Sequence, residues 1–274
     1  MPEVKGDDMG MDTRSLASYV TEERPVSGFN GIRLRGFGQV HLRQTGSESL
    51  EVRAPKPWMN RIETRVKDGT LELGFKKRLF PSSRLLLRKP GAIEFTITAD
   101  VIKSLKISGA GSFDTDPLRA RDLYIGVSGA GRITSRGIDA DSIHVDTSGS
   151  AKMALDRLHA DAIRVKSSGV ADMELDHVIA KTFSATLNGA GNIKAAGSSH
   201  HVEARMSGTG SLSLDGLETA QCQAKISGAG KIRVHANESL ETNITGAGSV
   251  LYKGNPQLSG RMSGSGHVSH ISEE

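Results

Sequence analysis

A short glycine-centred motif recurs at nearly regular intervals along the C-terminal two-thirds of the chain. It has the sequence Ser-Gly-Ala-Gly or a close variant of it. The nine copies begin at Ser108, Ser128, Ser148, Ser168, Asn188, Ser207, Ser227, Thr245 and Ser263. A repeat this short cannot bury an apolar face by itself, so the fold must stack one unit on the next.

Apolar residues flank the motif at alternate positions. The fifth residue after the start of the motif is apolar in all nine copies, as in Phe113 and Ile133. The fifth residue before it is apolar in the last eight, as in Leu123 and Ile143. A spacing of two is typical of strands with one buried face. We therefore predict an all-β fold, a parallel β-helix (β-solenoid) of ~20-residue coils stacked about 4.8 Å apart. An up-and-down barrel remains open, although it does not require the same corner in every repeat.

The second residue of the motif is glycine in every copy, and we predict that these glycines form structural corners. Glycine adopts positive φ without a Cβ clash, and it lets stacked backbones approach closely. A phosphate-binding loop would need a following Lys-Ser/Thr and a helix, and neither pattern is present. The predicted corners are Gly109, Gly129, Gly149, Gly169, Gly189, Gly208, Gly228, Gly246 and Gly264.

The first third of the chain lacks this regularity. Residues 1–24 are predicted to be a mobile N-terminal tail, and residues 25–107 an N-terminal β segment that caps the solenoid. The pair Asp68-Gly69 between two strand-like segments indicates a hairpin within this cap. Residues 108–270 are predicted to be the repeat β-solenoid with its nine corners.

Composition restricts the function classes. Lys and Arg total 35 against 31 Asp and Glu, and a net charge of +4 is too small to indicate a nucleic-acid partner. The single cysteine, Cys222, excludes an internal disulfide and lies in an apolar column, which predicts a buried side chain. No apolar run approaches the ~18 residues of a membrane span, and no signal peptide is visible.

Candidate chemical groups are compared by their offsets from the motif, since equal offsets in neighbouring coils place residues side by side. The histidines do not align. Two carboxylate pairs do, Asp156 with Asp176 and Asp141 with Asp161, and such pairs are able to bind a hard cation or serve polysaccharide cleavage. No third partner or Lys/Arg column completes a site, so a solvated face is the favoured interpretation. We predict no catalytic residue, metal ligand or cofactor.

Residues 76–89 contain six basic and no acidic residues, which gives this segment +6 and leaves −2 for the rest of the chain. Leucines lie among the basic residues, so contact with an anionic surface is one interpretation. A solvated hairpin loop whose leucines cover the solenoid end is the other. The candidate contact residues are Lys76, Lys77, Arg78, Arg84, Arg88 and Lys89. We expect this segment, rather than the glycine face, to make the main electrostatic contact.

The opening V-S-G-F-N-G-I-R-L at residues 26–34, E-T-R-V-K-D-G-T-L-E-L at residues 63–73 and the serial motifs together resemble a bacterial family. It is the family of auto-transporter adhesin head domains, also called GIN domains. The resemblance covers roughly residues 25–268 and implies a β-helix-like, non-enzymatic protein of the Gram-negative cell envelope (periplasm, outer membrane or secreted). Members of this family usually start with a signal sequence, and none is visible in this sequence. No site residues can be carried over.

The resemblance implies an adhesion or scaffolding function for a long surface. An anionic membrane, a polysaccharide or a further copy of the chain all remain open as partners. One alternative is an intracellular polymerising scaffold similar to the bactofilins. Against it, the C-terminal segment Ser263–Ser272 is polar and ends in Glu273-Glu274, which discourages end-to-end stacking. The other alternative is a polysaccharide-active β-helix enzyme.

Overall fold

The computed structural model describes residues 18–76 and 92–271. Within these residues no helix is long and apolar enough to cross a membrane. The elements are β1 (Tyr19–Glu23), β2 (Gly31–Leu34), β3 (Phe37–Gln44), β4 (Ser49–Pro55), α1 (Lys56–Met59), β5 (Ile62–Lys67), β6 (Thr70–Phe75), β7 (Glu94–Ala99), β8 (Ser104–Ile107), β9 (Ala110–Thr115), β10 (Leu118–Val127), β11 (Ala130–Ser135), β12 (Ile138–Thr147), β13 (Ser150–Asp156), β14 (Leu158–Ser167), β15 (Val170–Leu187), β16 (Ala190–Met206), β17 (Thr209–Gly228), β18 (Lys231–Gly246), β19 (Ser249–Lys253), β20 (Gln257–Ser263) and β21 (His267–His270).

From β8 onward each strand pairs in parallel with the strand one coil later. Ile143 of β12 lies between Leu123 of β10 and Ile163 of β14, so each residue meets its counterparts in the coil before and the coil after. The coils stack into a β-solenoid of about 8 turns. Parallel pairing between successive coils excludes the barrel and confirms the predicted fold class.

The core is a set of columns that run along the solenoid axis. In β12 alternate residues are buried from Ile143 onward, and Ile143 and Val145 are 1% and 0% exposed. Among residues 18–76 and 92–271, the fully buried large side chains include three phenylalanines, and the other fully buried large side chains are chiefly aliphatic. At one polar position of the core the buried hydroxyls bond to each other: Thr115 Oγ1 donates to Ser135 Oγ (2.9 Å), which donates to Gly137 O (3.2 Å). This chain of hydrogen bonds offsets the cost of burying two hydroxyls.

The N-terminal coils are stacked out of sequence order. β2 lies between β6 and β8, and β3 lies between β7 and β9, with all four pairings parallel. The coil formed by β2 and β3 is therefore enclosed by chain segments that come later in the sequence. Beyond it, β5 pairs antiparallel with β6, and β4 pairs antiparallel with β7, so antiparallel strands cover the N-terminal end.

The predicted hairpin is present, and the predicted tail requires a correction. Asp68 and Gly69 join β5 to β6 with φ of 48° and 68°, as a two-residue turn with two positive φ values requires. Tyr19–Glu23, in contrast, are part of the fold and not of a mobile tail. They form β1, which pairs antiparallel with residues 51–55 of β4.

The corner glycines are structural, but one predicted reason for them is wrong at six of the nine positions. Only the last three, Gly228, Gly246 and Gly264, have positive φ. The other six are required by close approach alone. A Cβ on Gly129 would lie within 3.0 Å of Gly109 O in the preceding coil, and the same clash recurs at Gly109, Gly149, Gly169, Gly189 and Gly208. Gly109 O also accepts a hydrogen bond from the Ala130 N–H (2.9 Å), so it cannot turn away.

Replacement of Gly129 by alanine tests this close approach. The new methyl group meets the backbone oxygen of Gly109, which has no freedom to move, so we expect the free energy of unfolding to fall by about 3 kcal/mol. Gly137→Ala is the matched control, because the nearest atom to its Cβ is Pro117 Cβ at 3.6 Å. That change should alter stability by less than about 1 kcal/mol. Equal denaturant midpoints for the two variants would contradict the stacked-corner interpretation.

Candidate functional site: the face before the glycine corners

One outward position, two residues before each motif, forms a continuous row of side chains along the solenoid. We call this row the basic column, since six of its ten members are Lys or Arg and one is acidic. Its members are Arg33, Lys106, Gly126, Asp146, Lys166, Thr186, Arg205, Lys225, Asn243 and Arg261. Backbone pairing places each of them beside the next, from Arg33 against Lys106 to Asn243 against Arg261.

The first motif residues form a second row beside it, which we call the hydroxyl column. It consists of Ser108, Ser128, Ser148, Ser168, Asn188, Ser207, Ser227 and Thr245, all exposed. The bend at each corner turns these side chains outward while the following glycine contacts the coil below. Ser207 Oγ donates to Asn188 Oδ1 (2.8 Å), and Ser168 Oγ donates to Thr147 O (3.3 Å). The column therefore presents uncharged groups that both donate and accept hydrogen bonds.

The two columns enclose a groove that follows the solenoid axis. One stretch of about 470 Å³ extends from the coil of Arg33 to Asn188, and a second of about 330 Å³ continues from Asn188 to Thr245. The groove thus crosses nine neighbouring strands, which is about 38 Å at the usual strand spacing. Its length and openness suit an extended chain rather than a compact small molecule.

Tyr124 contributes an aromatic ring to the lining of the groove. The basic column has no side chain at Gly126, and the edge of the Tyr124 ring lies over that backbone. Lys106 Nζ lies 4.9 Å from the ring centroid, and the His144 ring stacks on Tyr124 with centroids 5.5 Å apart. Burial, and then the charge of Asp146, raise the pKa of Tyr124 above its ordinary value. The phenol therefore stays protonated and is able to donate a hydrogen bond.

The cations of the basic column differ in how far they are neutralised. Arg33 lies 3.8 Å from Glu72, and Arg205 pairs with its neighbour Glu203. Across residues 18–76 and 92–271, by contrast, no carboxylate lies within 4.0 Å of the Nζ atoms of Lys106, Lys166 or Lys225. These three lysines give the groove most of its uncompensated positive charge.

The candidate anionic-surface residues fall mostly outside the described part of the chain. Lys77, Arg78, Arg84, Arg88 and Lys89 lie in residues 77–91, so their contact with an anionic surface stays a prediction. Lys76 is described: it is exposed, follows β6, and its N–H donates to Arg61 O (3.0 Å).

The predicted carboxylate pair is in register. Asp156 of β13 pairs with Asp176 of β15. Each oxygen of Asp156 has a basic neighbour, His177 Nδ1 at 2.7 Å from Oδ1 and Arg157 Nε at 3.6 Å from Oδ2. The His177 hydrogen bond in particular holds the pKa of Asp156 below its ordinary value. In the second predicted pair, Asp161 bonds to Lys181 Nζ (2.8 Å). Within the described residues no group of three His, Cys, Asp or Glu is placed to hold a metal ion.

Sequence reasoning did not identify the basic column, because a Lys/Arg row was considered only as the completion of a carboxylate site. The basic column lies at a fixed offset from the motif and is detectable from the sequence by the comparison applied to the carboxylates. It is hard to notice because Gly126, Asp146 and Thr186 interrupt the run of basic residues. The alternation of apolar residues, in addition, marks only the inward positions on either side of it. Which outward positions line a groove depends on the bend at the corner, and only the structure shows that bend.

The stacked parallel coils and their long outward columns define a β-solenoid whose outer surface is a set of regular side-chain rows. The chain belongs to the family described as "Putative auto-transporter adhesin, head GIN domain", whose model matches residues 28–156 and 144–256. The resemblance inferred from the sequence motifs is thereby confirmed. No curated protein sequence gives a significant match.

Solved structures share this fold. A putative lipid binding protein from Parabacteroides distasonis ATCC 8503 is 20% identical with a TM-score of 0.68, over 94% of this chain and 98% of that one. A putative adhesin from Parabacteroides merdae ATCC 43184 is 19% identical with a TM-score of 0.68, over 94% and 98%. A putative adhesin from Bacteroides fragilis NCTC 9343 is 22% identical with a TM-score of 0.52, over 93% and 97%. Similarity at these identities establishes the fold.

The thiol of Cys222 should be unreactive in the folded protein. Its side chain is buried, as its apolar column predicts, and burial raises the pKa of Cys222 to about 12. At pH 8 we therefore expect iodoacetamide to leave it unmodified until guanidinium unfolds the chain, with mass spectrometry as the measurement. Ser128→Cys in a Cys222→Ala background is the control, because position 128 is exposed and should react at once. Equal labelling rates in the folded state would contradict the burial of Cys222.

Proposed function

We propose that this protein is a non-catalytic binding module of the bacterial cell envelope, an adhesin head whose solenoid presents a long surface to a partner. The observation that carries the proposal is the groove of about 38 Å between the basic and hydroxyl columns. Backbone ladders on both sides of each coil hold the groove residues in fixed register. Preorganisation of this kind lowers the entropic cost of binding an extended partner. Membership of the adhesin head family supports the same function.

Binding explains the exposed polar groups better than catalysis does. A hydrolase or lyase site needs a base or nucleophile placed beside a group that orients it, in a site that excludes water. Asp156 and Asp176 are the stacked pair with the required chemistry, but they lie on an open surface. Asp156 is also engaged by His177 and Arg157. Its lowered pKa suits a salt-bridged carboxylate and not a general acid.

A head-to-tail polymer similar to the bactofilins is less well supported. Such a polymer pairs the exposed coil edge at one end with the coil edge at the other. At the N-terminal end the first coil, formed by β6 and β7, is already paired antiparallel with β5 and β4. At the last described coil, Leu258 and Met262 are each 49% exposed. One open coil edge does not propagate a filament.

The adhesin proposal is tested by sedimentation with purified Gram-negative cell envelopes. We expect saturable binding of the folded protein, with serum albumin as the negative control, and no release of reducing ends from polygalacturonate. Absence of binding above the albumin level would overturn the proposal as a whole. Cleavage of polygalacturonate that disappears in Asp156→Asn would overturn its non-catalytic part.

A second candidate partner is an anionic membrane, contacted through Lys76, Lys77, Arg78, Arg84, Arg88 and Lys89. The supporting observation is the concentration of +6 in residues 76–89 of a chain whose total is +4. Each basic residue near an anionic membrane contributes on the order of 1 kcal/mol, which gives weak and reversible docking.

Vesicles that contain phosphatidylglycerol test this second candidate. We expect Lys76/Lys77/Arg78/Arg84→Ser to bind them more weakly than the unmodified protein at low salt, because the attraction is electrostatic. Arg132/Lys152/Lys194/Lys231→Ser removes the same charge from exposed strand positions outside this segment and should retain binding. Equal binding by the two variants, or no binding by the unmodified protein, would rule out the segment as a membrane contact.

A further inference from the structure

We infer that the groove between the basic and hydroxyl columns binds an extended acidic polysaccharide that lies along the solenoid axis. The inference rests on the proposed function as a binding module and names the ligand class of its surface. Three independent features carry it: the charge of one wall, the hydrogen-bonding chemistry of the other, and the length of the groove.

The charge of the basic column favours an anionic polymer. Six Lys or Arg residues face one aspartate, Asp146, along the column. Among residues 18–76 and 92–271, Lys106, Lys166 and Lys225 have no carboxylate within 4.0 Å, so their charges are available to a ligand. They are spread over six successive coil steps, from β8 to β17, rather than gathered around one point. A ligand that neutralises all three must carry repeated negative charges along its length.

The hydroxyl column supplies the complementary contacts for sugars. Ser, Thr and Asn side chains both donate and accept hydrogen bonds, as sugar hydroxyls do. The column repeats these groups once per coil along the whole groove. The protonated phenol of Tyr124 adds a donor within the groove, where the basic column has no side chain at Gly126. Uronic-acid polymers combine repeated carboxylates with repeated hydroxyls and match both walls.

Other polyanions fit less well. Single-stranded nucleic acids bind through bases stacked on aromatic faces, but the Tyr124 ring already contacts Lys106 of the preceding coil and stacks on His144 of the following coil. A membrane contact typically adds exposed apolar anchors to the basic residues. Among the described residues, the exposed large apolar side chains, such as Val170 and Ile179, lie outside the groove lining.

Two variants with the same loss of charge test the inference. Lys106/Lys166/Lys225→Ser removes three charges from the groove. Arg132/Lys152/Lys231→Ser removes three from exposed positions four residues after the motif start, on the other side of the corners. Affinity for polygalacturonate is measured by calorimetry at low salt, with dextran as the uncharged polymer. We expect the groove variant to lose affinity at least about tenfold and the control variant less than about threefold. Circular dichroism verifies that both variants keep the native fold.

The outcomes separate this inference from the proposed function. Equal loss in the two variants, or polygalacturonate binding no stronger than dextran binding, would overturn the groove as the polysaccharide site. Stronger binding of oligothymidylate than of polygalacturonate, lost in the groove variant, would reassign the groove to nucleic acid and also overturn the inference. If envelopes still sediment the unmodified protein in either case, the binding-module function stands. If they do not, that function fails independently.

Discussion

The fold depends on one backbone contact that recurs at the corners from Gly109 to Gly208. The carbonyl oxygen of a corner glycine points along the solenoid axis and accepts the N–H of the residue after the glycine in the next coil, as Gly109 O does from Ala130. The Cα of the next glycine passes so close to this oxygen that a Cβ has no room. Hydrogen bond and close contact together fix the height and the register of each coil. Glycine is therefore required at these six corners by packing between coils, whereas the last three corner glycines have positive φ.

Fixed register is also what creates the surface. Because each coil keeps its register with the coil before it, residues at the same offset from the motif lie side by side and form columns along the axis. The basic and hydroxyl columns exist for this reason, although their members are far apart in the chain. The repeat shortens near the C-terminus, where the motifs begin at Ser227, Thr245 and Ser263, and the backbone absorbs the difference by register shifts such as that between Leu214 and Glu218. Both columns persist through these shifts because the corners and the strands before them stay aligned.

Much of this architecture follows from the sequence. Alternating apolar residues around regular glycines predict parallel coils, a two-residue hairpin at Asp68-Gly69 and the burial of Cys222, because each depends on local spacing. The stacking order of the first coils does not follow from the sequence, because no repeat offset relates β2 and β3 to the strands that pair with them. The strand Tyr19–Glu23 is mostly polar and exposed, so it lacks the alternation that marks a strand. The basic column is present in the sequence at a fixed offset, but its role does not follow from the sequence, because only the corner geometry makes that row the wall of a groove.

The out-of-order start of the solenoid sets a sequence of events during synthesis. Gly31 pairs with Thr70 on one side and with Ser104 on the other, so the earliest coil segment waits for chain made long after it. Its apolar residues, Ile32 and Leu34, are fully buried only when those later strands arrive. Every coil from β10 onward, in contrast, pairs with a preceding coil that has already been synthesised. We therefore expect β2 to β9 to fold together as one cooperative, non-local unit, whereas the later coils are able to add one by one in the order of translation.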